Sequence, residues 1–466
     1  MALPVPGSPA ASWAVYRQKL ITALEGQNPR VLIAFWLFGL INNVLYVIIL
    51  TSALDLIGPL PKALILLPDI LPGFLCKLIA PYFIHHFPYS LRVLICVSLS
   101  STGMLLIAVS PPSHNPVSIA VKLLGIMMAS LSSGGGELTF LALTHFYGKG
   151  SLAMWSSGTG GAGIVGAGAY ALATVTIGMS SRTALLVFAT LPAVMFVSFF
   201  LILPRDALET SSDLRQRLDS GQDESTEEQE AFLPSHSPSH DDDDEHGISQ
   251  IDISTALTAS ASSITPLTSK PLHWTATLHS HLQRARSLFL PYMLPLLLVY
   301  ISEYTINTAL FPVLLFPPHS PRTPFTHLRS HYPTYSTLYQ TGVFLSRSSL
   351  PFLRIRSLYA PTALQSLNFL VLLLHALYDF LPSFWYVAPI VFWEGLLGGL
   401  VYVSTFARIA EEVPRGEREF SLAATSVSDS GGILVSALVS MVLEVAVCEW
   451  QVSQGRRWCR MVKPAG

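Results

Sequence analysis

Apolar segments long enough to cross a lipid bilayer occupy most of this 466-residue chain. A spanning helix needs about 20 consecutive apolar residues, and the sequence contains about eleven such stretches. Hydrophobic residues make up 51% of the chain and charged residues only 12%, against about 25% charged residues in a typical soluble domain. The pattern predicts an all-α polytopic membrane protein whose main partner is the lipid bilayer, and it excludes a soluble enzyme.

The predicted helices fall into two sets separated by a polar segment. Six helices followed by a long linker and five helices indicate two helical bundles, the layout of the major facilitator fold, in which two halves rock about a central site. We predict five regions: an N-terminal tail over 1–30, an N-terminal bundle over 31–204, a linker over 205–286, a C-terminal bundle over 287–448 and a C-terminal tail over 449–466.

The linker differs in composition from both bundles. It is rich in Ser, Asp, Glu and His and contains the strings EEQE and HDDDDEH, so it lacks the apolar surface needed to offset its conformational entropy, and we predict that it is disordered. The run His240–His246 could bind a divalent ion, but a mobile segment presents no fixed ligand geometry. We therefore expect a solvated acidic linker with no metal, which could contact trafficking or proton-pump partners.

The distribution of Lys and Arg predicts the orientation, because short cytosolic loops carry the excess of these residues. With the N-terminus and the linker in the cytosol, the cytosolic side carries Arg17, Lys19, Arg30, Arg92, Lys149, Arg354, Arg356, Arg415 and Arg418. The opposite side then carries Lys62, Arg182, Arg322 and Arg329. An odd number of helices puts the basic C-terminal tail outside the cytosol, whereas an even number would put it inside.

Four carboxylates in or beside apolar segments are candidate proton or substrate sites: Asp69, Glu137, Glu303 and Glu394. An ionised carboxylate in hydrocarbon costs roughly 2.5–3.5 kcal/mol even on the lowest scales. Each could carry a proton, or could simply form an interhelical hydrogen bond. Asp69 lies between two prolines, and it must either have a neutralising partner or be protonated. Because Lys77 is about 12 Å further along the same helix, we expect another helix to supply any such partner.

The surroundings of these carboxylates leave further alternatives open. Three glycines precede Glu137, which predicts either a local helix break with a carboxylate at its edge or a residue near a helix end, satisfied by headgroups, Ser132 or Thr139. Asn307 lies one turn after Glu303 on the same helix face and joins it as a candidate. Arg347 could attract an anionic substrate group or mark the cytosolic end of its helix.

Small and amide residues in two helices are candidate cavity-lining positions. The string WSSGTGGAGIVGAG contains a literal G-x-G-x-x-G, but it opens an apolar helix rather than following a strand, so we reject dinucleotide binding. Its glycines indicate either close helix packing or an unwound segment that lines a cavity. The amides of the first helix could bind substrate or join helices. The candidates are Asn42, Asn43, Gly158, Gly160, Gly161 and Gly163.

Cofactor and catalytic signatures are missing from the sequence. The four cysteines show neither CxxC nor Cys/His spacing, so we expect no disulfide framework and no zinc site. No Ser/His/Asp or Cys/His arrangement stands out, and no basic patch carries interleaved aromatic residues. We therefore expect no cofactor, no catalytic residues and no nucleic-acid partner.

Several long strings resemble the battenin family of lysosomal and vacuolar membrane proteins. They are LFGLINNVLYVIILTSA, LLPDILPGFLCKLIAP, GGGELTFLALTHFY, WSSGTGGAGIVGA, SEYTIN, LYQTGVFLSRSSL, EGLLGGLVYVSTF and SLAATSVSDSGG. They cover both bundles, and the chain is similar to fungal members. The resemblance implies a major-facilitator-like fold in the vacuolar membrane, a role in vacuolar pH balance, and transport of basic amino acids, chiefly arginine, or of glycerophosphodiesters.

Together, the intramembrane carboxylates and the resemblance predict a multi-pass vacuolar transporter for a small molecule, coupled to protons. One rival is a non-transporting membrane regulator that acts on the proton pump or on vesicle traffic through the linker. The other is an intramembrane enzyme, which the missing catalytic constellation disfavours. Carboxylates that face a cavity favour the transporter, and activity that depends only on the linker favours the regulator.

Overall fold

The computed structural model is all-helical over the residues that it describes: 26–52, 63–84, 87–111, 115–206, 208, 281–353, 355 and 357–462. The first six helical elements are α1 Pro29–Thr51, α2 Ala63–Ile79, α3 Tyr89–Val109, α4 Pro116–Tyr147, α5 Lys149–Ala171 and α6, which runs through Ser181–Phe188, Pro192–Val197 and Ser198–Ile202. A π-helical segment, Leu172–Thr176, extends α5.

The second set begins after the linker. It comprises α7, with π-helical ends at Phe289–Met293 and Ile306–Leu310 around Leu294–Thr305, then α8 His331–Arg347, α9 Tyr359–Tyr378, α10 Phe384–Glu412, and α11, which runs as Arg415–Thr425 and Val427–Ser453. A short helix, α12, covers Trp458–Val462. The predicted disordered linker lies mostly outside the described residues, as does most of the N-terminal tail.

Eight helices of the described chain are long and apolar enough to cross a membrane. The other three, α2, α5 and α8, are shorter or more polar. Both α2 and α8 have 17 residues, and α2 contains Pro68 and Pro72 inside its helix. These three helices pack side by side with the other eight in the two bundles, so we count them with the membrane-crossing helices.

The eleven helices α1–α11 form two bundles with matching internal contacts, which confirms the predicted architecture. In the N-terminal bundle α1 packs on α5 and α2 on α4, and in the C-terminal bundle α7 packs on α11 and α8 on α10. The bundles meet where α5 contacts α8 and α2 contacts α11. These are equivalent pairs when α1–α5 are matched to α7–α11. The helix without a counterpart is α6, which packs on α1 and α3.

Successive helices alternate in direction, so the molecule has two faces. We call the face where α6 ends and α7 begins the linker face, and the opposite one the far face. At the linker face the Tyr147 hydroxyl donates to Pro204 O over 2.6 Å. At the far face the Arg322 guanidinium pairs with Asp379 over 2.9 Å. The odd number of helices places α12 at the far face, where it contacts the turn before α8.

The expectation that no cysteines pair was wrong, because a disulfide joins Cys448 to Cys459. Cys448 lies in the last turns of α11 and Cys459 in α12. Gly455 adopts a positive φ of 83° between the two helices, which lets the chain reverse and brings the two Cα atoms to 5.9 Å. A single pair 11 residues apart has no recognisable spacing, so only the folded turn shows it.

Candidate functional site

A cavity lies between the two bundles. Its lining comes from α1, α2, α4 and α5 on one side and from α7, α8, α10 and α11 on the other, and most of its named residues are polar or aromatic. Of the sequence-predicted candidates, the lining includes Asn43, Asp69, Glu137, Gly163 and Arg347. A polar chamber at the interface of the two halves is where transporters of this architecture hold their substrates.

A buried ion triad forms one wall of the cavity. The Lys77 ammonium of α2 lies 2.6 Å from Glu137 Oε2 of α4 and 2.9 Å from Asp429 Oδ1 of α11. All three residues are less than 10% exposed. Lys77 and Glu137 belong to the N-terminal bundle and Asp429 to the C-terminal bundle, so the triad joins the two halves inside the membrane-spanning region.

Hydrogen bonds extend the triad across the bundle interface a second time. The Tyr402 hydroxyl of α10 donates to Glu137 Oε1 over 3.0 Å and accepts from the Trp155 indole nitrogen of α5 over 3.2 Å. Asp429 also accepts from the Ser430 hydroxyl over 3.0 Å. The carboxylates of the triad are therefore held by charge and by hydrogen bonds at once, which is what makes a buried ion pair tolerable.

The local surroundings of Glu137 differ from both sequence-based interpretations. Helix α4 is continuous over 32 residues, so Glu137 lies at neither a break nor a helix end. Ser132 donates to Cys96 O and Thr139 to Gly135 O instead. The preceding glycines permit close helix contacts, since a Cβ added to Gly134 would lie 2.6 Å from Gly73 O of α2. That approach brings Lys77 within reach of Glu137.

Arg347 lies on the cavity wall without a carboxylate partner. Its guanidinium donates to Thr159 Oγ1 and to the Tyr300 hydroxyl, both over 2.9 Å, and stands 4.0 Å from the centre of the Tyr402 ring. Its Nε is buried and has no hydrogen-bond partner. No ion pair involves Arg347 within the described part of the chain, so its charge is available to an anion in the cavity.

Asp69 also lines the cavity. The cation that we expected from another helix is not found among the described residues. Its side chain is 4% exposed, its Oδ2 has no hydrogen-bond partner, and the described residues offer it no ion pair. Lys77, two turns along α2, is engaged by Glu137 and Asp429. The carboxylate of Asp69 is therefore uncompensated inside the protein.

Glu303 and Glu394 lie inside the C-terminal bundle, away from the named cavity lining. Glu303 is 1% exposed and accepts a hydrogen bond from the Tyr339 hydroxyl of α8. It packs against Gly398 of α10, where an added Cβ would lie 2.8 Å from Glu303 Oε1. Glu394, one turn before Gly398, is fully buried, and neither of its oxygens has a hydrogen-bond partner among the described residues.

The amide candidates separate in the same way. Asn43 lines the cavity, although its Nδ2 also donates to Gly39 O over 3.1 Å. The Asn42 side chain points to α4, where Nδ2 donates to Ser133 O over 3.0 Å, so Asn42 joins helices. Asn307 lies in the π-helical end of α7, outside the named lining, and its buried Oδ1 has no partner.

The glycine-rich stretch of α5 is a continuous helix that serves close packing rather than an unwound segment. A Cβ on Gly158 would lie 2.9 Å from Leu40 N of α1, and one on Gly160 would lie 3.1 Å from Phe344 Cα of α8. Gly161 also faces the Phe344 ring. Only Gly163 of the four reaches the cavity, where it lies against Gln340.

Sequence reasoning missed several residues of the site: Lys77 as a centre of charge, Asp429, Tyr300, Tyr402 and Trp155. Asp429 offered a signal, since it is a carboxylate beside an apolar helix in the string SVSDSGG. The tyrosines offered none, because aromatic residues are common in membrane helices and only the fold shows which ones face a cavity.

Further polar bonds join the bundles toward the linker face. The Tyr89 hydroxyl donates to Glu419 over 2.6 Å, the Lys149 ammonium pairs with Glu411 over 3.1 Å, and the hydroxyls of Ser157 and Ser348 are 3.0 Å apart. None of these residues lies further from the linker face than the triad does. The bonds hold the two bundles together at the linker face.

Comparisons with known proteins agree with this architecture. The family model for the CLN3 protein matches residues 33–450. The protein btn1 of Aspergillus fumigatus is 52% identical over 463 residues, covering 99% of this chain and 97% of that protein. The protein btn-1 of Neurospora crassa is 53% identical over 469 residues, with the same coverage.

A solved structure shows the same fold at much lower identity. The human organic anion transporter MFSD10 (TETRAN) superposes with a TM-score of 0.54 at 15% identity, covering 93% of this chain and 96% of that one. The likeness shows a shared fold, the major-facilitator-like arrangement of two helical bundles. With a family model that spans most of the chain and relatives above 50% identity over nearly full length, this protein belongs to the CLN3, or battenin, family.

Proposed function

We propose that this protein is a proton-coupled transporter of the vacuolar membrane. It moves basic amino acids, chiefly arginine, or glycerophosphodiesters, and thereby contributes to vacuolar transport and pH homeostasis. The observation that carries the proposal is the ion triad of Lys77, Glu137 and Asp429, which forms a wall of the central cavity and joins the two bundles.

The charge of the triad supplies a coupling mechanism. Two carboxylates share one ammonium, so the triad carries one excess negative charge, and one proton neutralises it. Protonation of Asp429 weakens the ion pair that crosses between the bundles, while Lys77 keeps Glu137 as a partner inside its own bundle. The proton thus changes the free energy that holds the halves together, which is what alternating access requires.

The orientation follows from two independent features. The excess of Lys and Arg predicts that the linker face is cytosolic. The Cys448–Cys459 disulfide lies at the far face, and disulfides persist in oxidising compartments rather than in the cytosol. Both features favour a lumenal far face, so we expect protons from an acidic lumen to reach the cavity from the far face, opposite the bonds that join the bundles at the linker face.

Glu303 and Glu394 are the other carboxylates that could carry the proton. Each is buried in the C-terminal bundle, and neither is among the named cavity-lining residues. Glu303 is connected to the cavity through the hydroxyl of Tyr339, which lines it, whereas the triad faces the cavity directly. The triad is the simpler site. The regulator alternative depends on the linker and assigns no role to a polar cavity or to an ion triad at its wall.

The test is flux in proteoliposomes that contain the purified full-length protein. Labelled arginine and labelled glycerophosphocholine are followed with and without a pH gradient, for the wild type, Asp429→Asn and the exposed control Glu449→Gln. We expect the pH gradient to stimulate flux in the wild type and in the control. In Asp429→Asn we expect the stimulation of flux by the gradient to be at least tenfold smaller than in the wild type. Well-folded wild-type protein that moves neither solute would overturn the proposal.

A further inference from the structure

We propose that the cavity selects zwitterions, with Arg347 holding the anionic group of the substrate and Asp69 holding its cationic group. This inference rests on the proposed transport function and assigns a substrate class and two specificity-determining residues to the same cavity. The relevant ligands carry a phosphate or carboxylate and, at a separate position, an ammonium or guanidinium group; arginine has in addition the ammonium group beside its carboxylate.

The argument begins with the charges that the protein leaves uncompensated. Five ionisable residues of known charge line the cavity: Asp69, Lys77, Glu137, Arg347 and Asp429. Three of them belong to the triad and pair with one another. One cation and one carboxylate remain, and within the described residues neither makes an ion pair. Uncompensated charges at membrane depth are costly, so a ligand of opposite charges at its two ends would stabilise both.

Arg347 has the geometry of an anion site. Two of its guanidinium nitrogens are held by Thr159 and Tyr300, which fixes the plane of the group. The Nε remains buried with no partner, and the Tyr402 ring covers one face at 4.0 Å. A held guanidinium recognises carboxylate and phosphate through directional hydrogen bonds.

Asp69 has the surroundings of a cation site. Its side chain is nine-tenths buried or more, and Oδ2 lacks a partner. Tyr46 of α1 and Tyr304 of α7 line the same cavity as Asp69. A carboxylate beside aromatic rings suits ammonium and guanidinium groups, and the rings alone attract a quaternary ammonium group.

Aromatic side chains line the cavity from both bundles. Tyr300, which accepts from Arg347, stacks on Tyr304 with ring centres 5.6 Å apart, and Tyr46 lines the cavity from the N-terminal bundle, as Asp69 does. Arg347 belongs to the C-terminal bundle and Asp69 to the N-terminal bundle. A zwitterion held at both ends therefore contacts both halves, and its binding energy acts on the movement of one half against the other.

Binding is measured on the purified full-length protein in detergent by titration calorimetry, separately from flux. The zwitterions are arginine and glycerophosphocholine. Glycerophosphoglycerol is the matched anion without a cation, since it differs from glycerophosphocholine only in the second alcohol. We expect at least one zwitterion to bind tenfold or more tighter than glycerophosphoglycerol, and the preferred one identifies the source of the cationic group.

Variants assign the two ends. Asp69→Asn should lower zwitterion affinity at least tenfold and leave glycerophosphoglycerol binding unchanged, whereas Arg347→Gln should weaken both ligands. Glu449→Gln should change neither. Thermal unfolding of each variant with and without arginine separates loss of binding from loss of folding. If Asp69→Asn remains folded and binds the zwitterions as the wild type does, or if the wild type binds neither zwitterion, the inference is wrong.

The binding result separates this inference from the proposed function. Zwitterion binding that depends on Asp69, in a protein that shows no flux, would support the site and overturn the transport function. Flux stimulated by a pH gradient, with no preference for zwitterions over glycerophosphoglycerol, would support transport and overturn the site.

Discussion

The bundle interface and the interior of the C-terminal bundle both contain buried carboxylates, but the partners of these carboxylates differ. At the interface, Glu137 and Asp429 share the ammonium of Lys77 and face the cavity. Inside the C-terminal bundle, Glu303 has a tyrosine hydroxyl and Glu394 has no hydrogen-bond partner within the described residues. The first region pairs its carboxylates with a cation, whereas within the described residues neither carboxylate of the second region forms an ion pair.

This difference indicates which carboxylates act in coupling. When one member of an ion pair that joins the two bundles is neutralised, the free energy that holds the bundles together changes. Neutralising a carboxylate enclosed in one bundle changes mainly the stability of that bundle. Intramembrane carboxylates are candidate functional residues by default, and the position of each one relative to the interface ranks them.

Lys77→Met should have the largest effect. It leaves Glu137 and Asp429 buried without a cation, and breaking a buried ion pair in this way costs about 3–5 kcal/mol. We expect a lower thermal unfolding temperature in detergent and lower abundance in the membrane. Adding Glu137→Gln and Asp429→Asn to the same chain should restore most of the stability but not pH-coupled transport. A single variant as stable as the wild type would contradict the role of the triad.

Gly160→Leu should destabilise the protein by a smaller amount, about 1–3 kcal/mol for overpacking. An added Cβ already lies 3.1 Å from Phe344 Cα and Arg347 Cβ, so a leucine must push α8 away from α5 at the interface. Gly168→Leu is the matched control on the same helix, because nothing lies within 4 Å of an added Cβ there. Equal abundance of the two variants would argue against close packing at Gly160.

Glu303→Gln tests the interior region directly and should be nearly neutral. The amide oxygen can still accept from Tyr339, and the loss of a charged partner in one hydrogen bond is worth about 1 kcal/mol. We expect normal abundance, normal vacuolar pH and normal pH dependence of flux. If the variant is abundant and correctly located but its flux no longer responds to a pH gradient, Glu303 is the proton carrier and the ranking of the two regions is reversed.

Deletion of Ser211–Ser263 should have the smallest effect on folding. The segment is charged and poor in apolar residues, so it contributes no core to either bundle. We expect unchanged membrane abundance and an unchanged unfolding temperature, together with unchanged zwitterion binding. Loss of the protein without a sorting defect would count against two bundles that fold independently of the linker.

Hydropathy determined the class of the protein, because crossing a bilayer imposes a length and a composition on each helix. The eleven helices and the two bundles were predictable in this way, even for α2, where Pro68 and Pro72 lie inside the helix. The family was predictable instead from the resemblance of long sequence strings. The candidates Asp69, Glu137 and Arg347 were also predictable, since charged residues in apolar helices are few.

Only the tertiary structure decided which of these charges meet. Lys77 and Asp429 are 352 residues apart in the chain, and no local pattern connects them. The same holds for Trp155 and Tyr402 and for the disulfide of α12, which depends on one turn at Gly455. Hydropathy depends on each segment alone, whereas ion pairs depend on which helix faces which, and that is set by small residues that let α2, α4, α5 and α8 approach closely.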